Sequence, residues 1–306
     1  MVIKLKIDKC FLKKSNQIIE RIVYYILALA AFVSVITTAG IIIVLATESA
    51  EFFKEVPLVD FLFGTRWEPL LEPKSFGILP LVAGTLTIVL GSGIIALPVG
   101  IMTAIYLSEY ASPKSRSIIK PILEILAGIP TVVYGYFALT FITPIIRMFL
   151  PETQIFNSGS ASIVVGIMIL PMVASLCDDA IRSVPTSLRQ GGFALGATTF
   201  EVIKSVVAPG AFSGIMASFV LALSRAFGET MAVTLAAGAT PNLTLNPLES
   251  IQTMTAYIVQ VSLGDTPAGG IEYQTIFAVG ALLFCVTLAM NIFANHVMNK
   301  YREIYE

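Results

Sequence analysis

Charged residues are scarce in this sequence. Lys, Arg, Asp and Glu make up 13% of its 306 residues, whereas soluble domains contain about 25% charged residues. The net charge is only −1, so the chain lacks the excess of basic residues with which proteins bind nucleic acid. Hydrophobic residues make up 56% of the chain, and the mean hydropathy is +0.85. These values exclude an ordinary soluble domain and indicate an integral membrane protein.

Residues that bind metals or nucleotides are scarce too. The chain has one histidine, His296, and three widely separated cysteines, Cys10, Cys177 and Cys285. The cysteines have neither a metal-ligand spacing nor the even number of a disulfide framework, so we expect no metal and no cofactor. No Gly-Lys pair occurs, which excludes the P-loop G-x-x-x-x-G-K-[ST]. An ATP-driven process that uses this chain must therefore take its ATPase from another subunit.

Long apolar runs, in contrast, are abundant. A membrane-spanning helix needs about 20 mostly apolar residues, and six runs qualify: residues 22–46, 78–107, 121–143, 160–177, 211–238 and 273–298. The first run is about twice as long as the apolar core of a signal peptide, so we expect a retained signal-anchor helix. The sequence thus predicts an all-α, polytopic membrane protein with six transmembrane helices surrounded by lipid.

Basic residues are distributed unevenly around these runs. Of the 19 Lys and Arg residues, most precede the first run, follow the last one, or lie between runs 2 and 3 or runs 4 and 5. Because cytoplasmic segments carry the excess of basic residues, both termini are expected in the cytoplasm. The predicted organisation is a cytoplasmic N-terminal segment at 1–21, a first transmembrane helix at 22–46, an extracytoplasmic loop at 47–76, a core of five transmembrane helices at 77–298 and a cytoplasmic tail at 299–306.

A cytoplasmic loop at 178–210 is long for a connector. Its sequence predicts two short helices, the first beginning near Pro185. In the second helix, Thr198 and Glu201 have the spacing of a capping box, and Pro209 is expected to end the helix. The apolar residues of this helix fall on one face: Phe200, Ile203 and Val207. Such an amphipathic helix lies either on the membrane surface or in a groove of another protein.

The same loop resembles a segment of ABC importer permeases with the pattern E-A-A-x3-G-x9-I-x-L-P. In this chain Gly196 is followed by nine residues and then by "VVAP" at 206–209. The glycine, the spacing and the final proline are therefore present. The sequence "QGG" at 190–192 stands at the E-A-A positions, so the glutamate of the pattern is missing.

A second resemblance is more specific. The segments "RAFGETMAV" at 225–233 and "LAGIPTVVYGYFAL" at 126–139 resemble the phosphate-specific ABC importer permeases, and "GETMAV" is closer to their PstC subunits than to their PstA subunits. The resemblance extends over about residues 60–300. It implies a type I (MetI-like) permease that works with a second, PstA-like permease subunit, a PstB-like ATPase dimer and an extracytoplasmic, PstS-like phosphate-binding protein.

The resemblance also implies that the ATPase docks on the loop at 178–210. Glycine at position 196 would permit the sharp bend that presents the second helix to the ATPase. The residues expected to couple to the ATPase are Gly196, Thr198, Phe200, Glu201, Ile203 and Pro209. The extracytoplasmic loops at 47–76 and 239–272 are either docking sites for an external partner or ordinary connectors.

Two charged residues, Arg225 and Glu229, lie within the fifth apolar run. One charge at the centre of a membrane helix costs about 2.5–3.5 kcal/mol, but two opposite charges four residues apart in a continuous helix can neutralise each other. One interpretation is a purely structural ion pair. The other is a phosphate site, because a guanidinium binds phosphate oxygens bidentately. In that case Glu229 keeps the binding reversible, and Thr230 offers a neighbouring hydroxyl group.

Further residues of the substrate path are expected in the third run. Gly128, Pro130 and Gly135 weaken the helix around Thr131 and Tyr134, and interrupted helices often form the binding sites of transporters. A helix kink filled by aromatic packing is the alternative. Elsewhere, solvated or interfacial charges are expected at Glu109, Lys120 and Glu124, and contacts between helices at Asn291 and Asn295.

The sequence therefore favours a phosphate permease, and a permease for another oxyanion (molybdate, tungstate or sulfate) is the nearest alternative. An intramembrane enzyme that uses Glu229 is less consistent with the sequence, which has neither an H-E-x-x-H motif nor an evident nucleophile pair. An assembly or sensor protein without transport activity would leave the intramembrane arginine without a purpose.

Overall fold

A computed structural model describes residues 14–264, 266–267 and 269–300 of the protein. The predicted tail at 299–306 and the predicted N-terminal segment at 1–21 lie largely outside these residues. The helices are α1 (Lys14–Glu55), α2 (Leu58–Phe63), α3 (Leu79–Ile105), α4 (Pro113–Ala127), α5 (Thr131–Phe137), α6 (Thr143–Phe149), α7 (Ser158–Arg182), α8 (Thr186–Ala194), α9 (Thr199–Val202), α10 (Ala208–Gly210), α11 (Phe212–Phe227), α12 (Met231–Ala237), α13 (Met254–Leu263) and α14 (Ile271–Lys300).

Short elements complete the secondary structure. Strands β1 (Trp67–Glu68) and β2 (Ser75–Phe76) form an antiparallel hairpin. Three π-helical turns continue the α-helices. The turn Tyr106–Tyr110 follows α3, Ala138–Ile142 joins α5 to α6, and Ile203–Val207 joins α9 to α10.

Five helical segments are long and apolar enough to cross a membrane: Ile19–Glu55, Leu79–Tyr110, Thr131–Phe149, Ser158–Arg182 and Ile271–His296. Each overlaps one of the predicted runs, so the expected polytopic helical architecture is confirmed. A sixth candidate span consists of Thr199–Gly210 and Phe212–Phe227, which are bent by 70° relative to each other. The fifth predicted run, at 211–238, is not one continuous helix, because it contains α11, a break at 228–230 and then α12.

Helix α7 lies at the centre of the bundle and packs along α3. Glycine lets the two helices approach closely. A Cβ atom on Gly100 would lie 2.5 Å from Val173 Cγ1, and one on Gly166 would lie 3.2 Å from the carbonyl oxygen of Ser92. Small residues at such contacts are typical of helix packing in membranes. Residues of α5, α11 and α12 complete the main apolar core.

Helix α1 lies at the periphery of the bundle. It packs mainly on α14, and most of its apolar side chains are exposed. Exposed apolar side chains on a helix of this length are suited to contact with lipid or with another membrane subunit. The helix ends at Glu55 rather than at residue 46, and its last turns bury Phe52.

The segment that follows α1 is folded. It buries an aromatic cluster formed by Phe52, Phe61, Trp67 and Tyr257. The rings of Trp67 and Tyr257 meet edge to face with centroids 4.9 Å apart. Lys74 Nζ lies 2.6 Å from Glu272 Oε1, and its hydrogen bond to Glu272 raises the pKa of Lys74. The hairpin is therefore attached both to α13 and to the start of α14.

Candidate functional site

The candidate site lies at the break between α11 and α12. Helix α11 ends at Phe227, and Gly228 is its C-cap. The amide of Gly228 donates to the carbonyl of Ser224 at 3.3 Å, and the amide of Glu229 donates to the carbonyl of Ala226 at 3.2 Å. Helix α12 then begins with Thr230 as its N-cap. The apolar pattern of the sequence continues through this region, but the backbone does not continue as one helix.

The helix break separates the two charges that the sequence predicted as a pair. Arg225 is exposed in the last turn of α11, whereas Glu229 lies beyond the end of that helix and is only 8% exposed. Among the described residues, no carboxylate oxygen lies within the 4 Å of an ion pair from the Arg225 guanidinium. The predicted self-neutralising pair is therefore wrong in this structure, because the spacing of four residues brings side chains together only within a continuous helix.

Glu229 instead caps the second helix. Its Oε1 accepts a hydrogen bond from the amide of Ala232 at 3.2 Å, and this amide is one of the N-terminal donors that helix α12 itself cannot satisfy. Its backbone carbonyl accepts a hydrogen bond from Thr255 Oγ1 at 2.8 Å. Thr255 belongs to α13, and the Glu229 amide bonds to Ala226 of α11. Glu229 therefore links α11, α12 and α13 and fixes the geometry of the break.

Arg225 lies beside a polar contact between α11 and α14. The Oγ of its neighbour Ser224 donates to Asn291 Oδ1 at 3.2 Å, so Asn291 connects helices as the sequence predicted. A charged side chain within an apolar bundle faces the bundle interior, a water-filled cavity or a partner group. The exposed guanidinium of Arg225 is thus available to a ligand or to another subunit.

The remaining candidates for the substrate path differ in their burial and in their hydrogen bonds. Tyr134 is buried, and its hydroxyl donates to the carbonyl of Leu126 at 2.8 Å, so its side chain packs in the core of this chain. Thr131 is half-buried at the start of α5, and Thr230 Oγ1 donates to the carbonyl of Gly228 at 3.2 Å. Helix α5 packs closely against α12 at the site, because a Cβ atom on Gly135 would lie 3.0 Å from Ala232 Cα.

The loop after α7 has the local structure that its sequence predicted. Helix α8 begins immediately after Pro185. Gly196 has φ +84°, a left-handed conformation that glycine adopts without strain. Thr198 and Glu201 form the capping box, in which the Thr198 amide donates to Glu201 Oε2 at 2.7 Å.

The exposed face of this loop differs from the prediction. Ile203 and Val207 are buried in the interior of this chain, and Phe200 is exposed. The helical segment ends at Gly210, one residue after Pro209, and the chain bends at Ala211, close to the predicted end. We define the docking surface as the exposed apolar residues of the loop: Leu188, Phe193, Leu195 and Phe200.

Buried charges near the loop were not predicted. The carboxylate of Glu109 accepts hydrogen bonds from Arg189 Nη2 and Nε at 3.1 and 3.2 Å. Asp178 accepts from Arg116 Nη2 at 2.6 Å and from Arg182 Nε at 3.2 Å. Glu109 is therefore not a solvated charge, because folding brings Arg189 against it. The spacing of Asp178 and Arg182 would have indicated their pairing, whereas no local pattern links residues 109 and 189.

The chain is similar to known components of membrane transport systems. The family model described as "binding-protein-dependent transport system inner membrane component" matches residues 96–303. The probable ABC transporter permease protein YqgH of Bacillus subtilis is 32% identical over 277 residues, which cover 90% of this chain and 89% of that protein. The phosphate transport system permease protein PstC of Haemophilus influenzae is also 32% identical, over 90% of this chain and 92% of that protein.

Solved structures support the same fold. A chain of a bacterial alginate ABC transporter, in complex with its pentasaccharide-bound periplasmic protein, matches with a TM-score of 0.67 and 18% identity over 95% of this chain and 99% of that chain. A chain of the inward-facing MetNI methionine ABC transporter matches with a TM-score of 0.55 and 17% identity over 74% of this chain and 95% of that chain. At these identities the likeness concerns the fold.

Proposed function

The chain belongs to the family of binding-protein-dependent transport system inner membrane components, and we propose that it is the PstC-type permease subunit of an ATP-driven importer of inorganic phosphate. It is a multi-pass inner-membrane protein and a transport subunit rather than an enzyme, and ATP is hydrolysed on a partner subunit. The PstC permeases of Haemophilus influenzae, Mesorhizobium japonicum and Mycobacterium tuberculosis, which are 31–33% identical to this chain, support phosphate as the cargo.

The observation that carries the proposal is the exposed Arg225 guanidinium at the helix break. Because Glu229 caps α12, Arg225 is not occupied by that carboxylate and can present its planar fork to phosphate oxygens. The exposed position of the Arg225 guanidinium limits how tightly the anion is held. A transport path needs such binding, which is favourable but weak enough for release.

The proposed pathway requires a second subunit. The apolar bundle of this chain leaves Arg225 uncovered, so we infer that this chain forms half of the pathway and that a PstA-like permease forms the other half. Two sets of ion pairs lie near the loop: Asp178 pairs with Arg116 and Arg182, and Glu109 pairs with Arg189. We assign this end to the cytoplasm, where a PstB-like ATPase dimer binds. The folded segment after α1 and the loop after α12 then face a PstS-like phosphate-binding protein.

Transport by the reconstituted complex tests this function. Vesicles that contain both permeases and the ATPase, with the binding protein on the external side, are expected to accumulate labelled phosphate only when ATP is present on the ATPase side. Accumulation that persists without this chain, or the absence of ATP-driven accumulation in the complete complex, would contradict the proposal.

Substitution of Glu229 distinguishes its capping role from its charge. A glutamine can still accept the hydrogen bond from the Ala232 amide, so Glu229→Gln is expected to retain most of the uptake. Glu229→Ala removes the cap, which costs about 1 kcal/mol, and is expected to lower uptake about fivefold, the factor that corresponds to this energy. Initial uptake rates and thermal unfolding of both variants check this. Equal losses in the two variants would show that the charge, not the cap, is needed.

The docking surface is our proposed contact for the ATPase. Its residues are apolar yet exposed on the side that we assign to the cytoplasm, and Leu195, at 90%, is the most exposed of them. Gly196, Thr198 and Glu201 shape this surface through the bend and the capping box. Ile203 contributes from the inside, because its buried side chain holds the helix against the bundle.

A substitution at Gly196 is expected to weaken binding of the ATPase. An added Cβ atom at this position would lie in open space, so we attribute the cost to the left-handed backbone, at about 1–2 kcal/mol. Gly196→Val should therefore weaken co-purification of the ATPase about tenfold. Gly191→Val is the matched control, because Gly191 is equally open but has no positive φ. An equal effect of both substitutions would refute the role of the bend.

A further inference from the structure

Helix α8 is attached to the protein in an unusual way. None of its nine residues is buried, so an apolar core does not hold it in place. Gly192 lies against the side chain of Val202 in α9, where an added Cβ atom would be 2.9 Å from Val202 Cγ2. A second anchor of α8 is the side chain of Arg189.

Arg189 connects α8 to the end of the α3 segment. Its guanidinium donates to Glu109 Oε1 through Nη2 and Nε and to the carbonyl of Ile181 at 2.7 Å. The side chains of Arg189 and Glu109 are only 13% and 9% exposed. Glu109 lies in the π-helical turn that continues α3. A mostly buried ion pair therefore joins the loop that carries the docking surface to a membrane-spanning helix.

A second ion pair holds the same end of α3. Arg116 of α4 donates to both carboxylate oxygens of Asp178 in α7, at 3.0 and 2.6 Å, and to the carbonyl of Leu107 at 3.1 Å. Lys120 lies 3.8 Å from the same carboxylate. The two ion pairs thus fix the residues around 107–109 relative to α4, α7 and α8.

The other end of α3 leads to the Arg225 site. Thr85 Oγ1 accepts a hydrogen bond from the amide of Met254 at the start of α13, at 3.1 Å, and the neighbouring Thr255 is the residue that binds the carbonyl of Glu229. Midway along α3, a Cβ atom on Gly93 would lie 3.0 Å from a methyl group of Leu223 in α11. A shift of α3 would therefore move α13, which binds the Glu229 carbonyl, and α11, which ends at the break.

We propose that the Glu109–Arg189 ion pair transmits movement of the ATPase-docking loop to α3 and through it to the Arg225 site. This inference rests on the proposed function. Stability alone does not explain the pair, since buried ion pairs can often be replaced by apolar residues without loss of stability. The hydrogen bonds that Arg189 donates fix the orientation of α8. A helix that transmits movement must be held in a fixed orientation.

The test measures two properties of the reconstituted importer: the phosphate transported for each ATP hydrolysed, and the binding of the ATPase. Glu109→Gln, Arg189→Gln and the double variant are purified with their partners, and phosphate uptake and ATP hydrolysis are measured in the same vesicles. Because α8 keeps its contact between Gly192 and Val202 in each single variant, each is expected to bind the ATPase normally and to transport about tenfold less phosphate for each ATP hydrolysed. The double variant is expected to lose no more than the worse single variant, because both substitutions break one interaction. The control is Glu51→Gln, which removes the exposed Lys54–Glu51 pair and should change neither quantity.

Three results would overturn the proposal: an unchanged uptake for each ATP, additive losses in the double variant, or loss of the ATPase during purification. The last would assign the pair to assembly. Failure of the wild-type complex to transport phosphate would instead contradict the proposed function, so the two failures are distinguishable.

Discussion

Replacement of Arg225 by alanine is expected to lower phosphate uptake about 100-fold without loss of the assembled complex. A charge-assisted hydrogen bond contributes about 1.5–3 kcal/mol, and loss of a bidentate pair is therefore expected to cost about 3 kcal/mol, a factor of about 100. The side chain is exposed and forms no ion pair among the described residues. Its removal should thus leave the fold of this subunit intact.

Two further variants sharpen the test of Arg225. Arg225→Lys keeps the charge but loses the planar fork, so its uptake should lie between those of the wild type and the alanine variant. Arg147→Ala is the matched control, because Arg147 is also exposed and also lies in the last turn of its helix, α6. Initial rates of labelled phosphate uptake in vesicles measure all three. Normal uptake by Arg225→Ala, or an equal loss in Arg147→Ala, would refute the role of Arg225 in the pathway.

The second large effect is expected at the docking surface. Leu195 is 90% exposed, so Leu195→Glu should not disturb the folding of this chain. In a complex with the ATPase the new carboxylate would be buried without a partner, at a cost of several kcal/mol. We therefore expect the ATPase to be lost during purification, with ATP-driven uptake lost together with it.

A matched substitution on the opposite side controls for the added charge. Leu245 is 85% exposed in the loop after α12, which we assign to the external side. Leu245→Glu should leave co-purification of the ATPase unchanged. Retention of the ATPase by Leu195→Glu, or its loss from Leu245→Glu, would show that the docking surface is assigned wrongly.

Local sequence patterns were sufficient to predict much of this fold. The membrane spans follow from the length of the apolar runs, since the bilayer requires about 20 such residues. The capping box of Thr198 and Glu201 and the bend at Gly196 were also predictable, because each depends on residues that are close in sequence.

The break in the fifth run was harder to predict. Hydropathy continues through residues 228–230, and a single glycine does not always end a helix. The structure stabilises the break through contacts from outside the segment, above all the hydrogen bond from Thr255 to the Glu229 carbonyl. The helical spacing of Arg225 and Glu229 was therefore applied to a helix that ends between them.

Two features of the loop at 178–210 depend on tertiary structure: which of its residues are buried, and which ion pairs it forms. An apolar stripe such as Phe200, Ile203 and Val207 shows that a face is apolar but does not reveal which protein covers it. Ile203 and Val207 pack within this chain, and Phe200 is exposed. Likewise, Glu109 and Arg189 are distant in sequence, and only the packing of α3, α7 and α8 brings them together.

Competition between oxyanions decides whether phosphate is the cargo of this importer. In vesicles that contain the complete importer, initial uptake of labelled phosphate is measured with an excess of unlabelled phosphate, sulfate or molybdate. The phosphate assignment predicts that unlabelled phosphate suppresses the uptake of label and that sulfate and molybdate leave it almost unchanged. Suppression by sulfate or molybdate as strong as that by phosphate, or ATP-driven transport of either anion in place of phosphate, would contradict it.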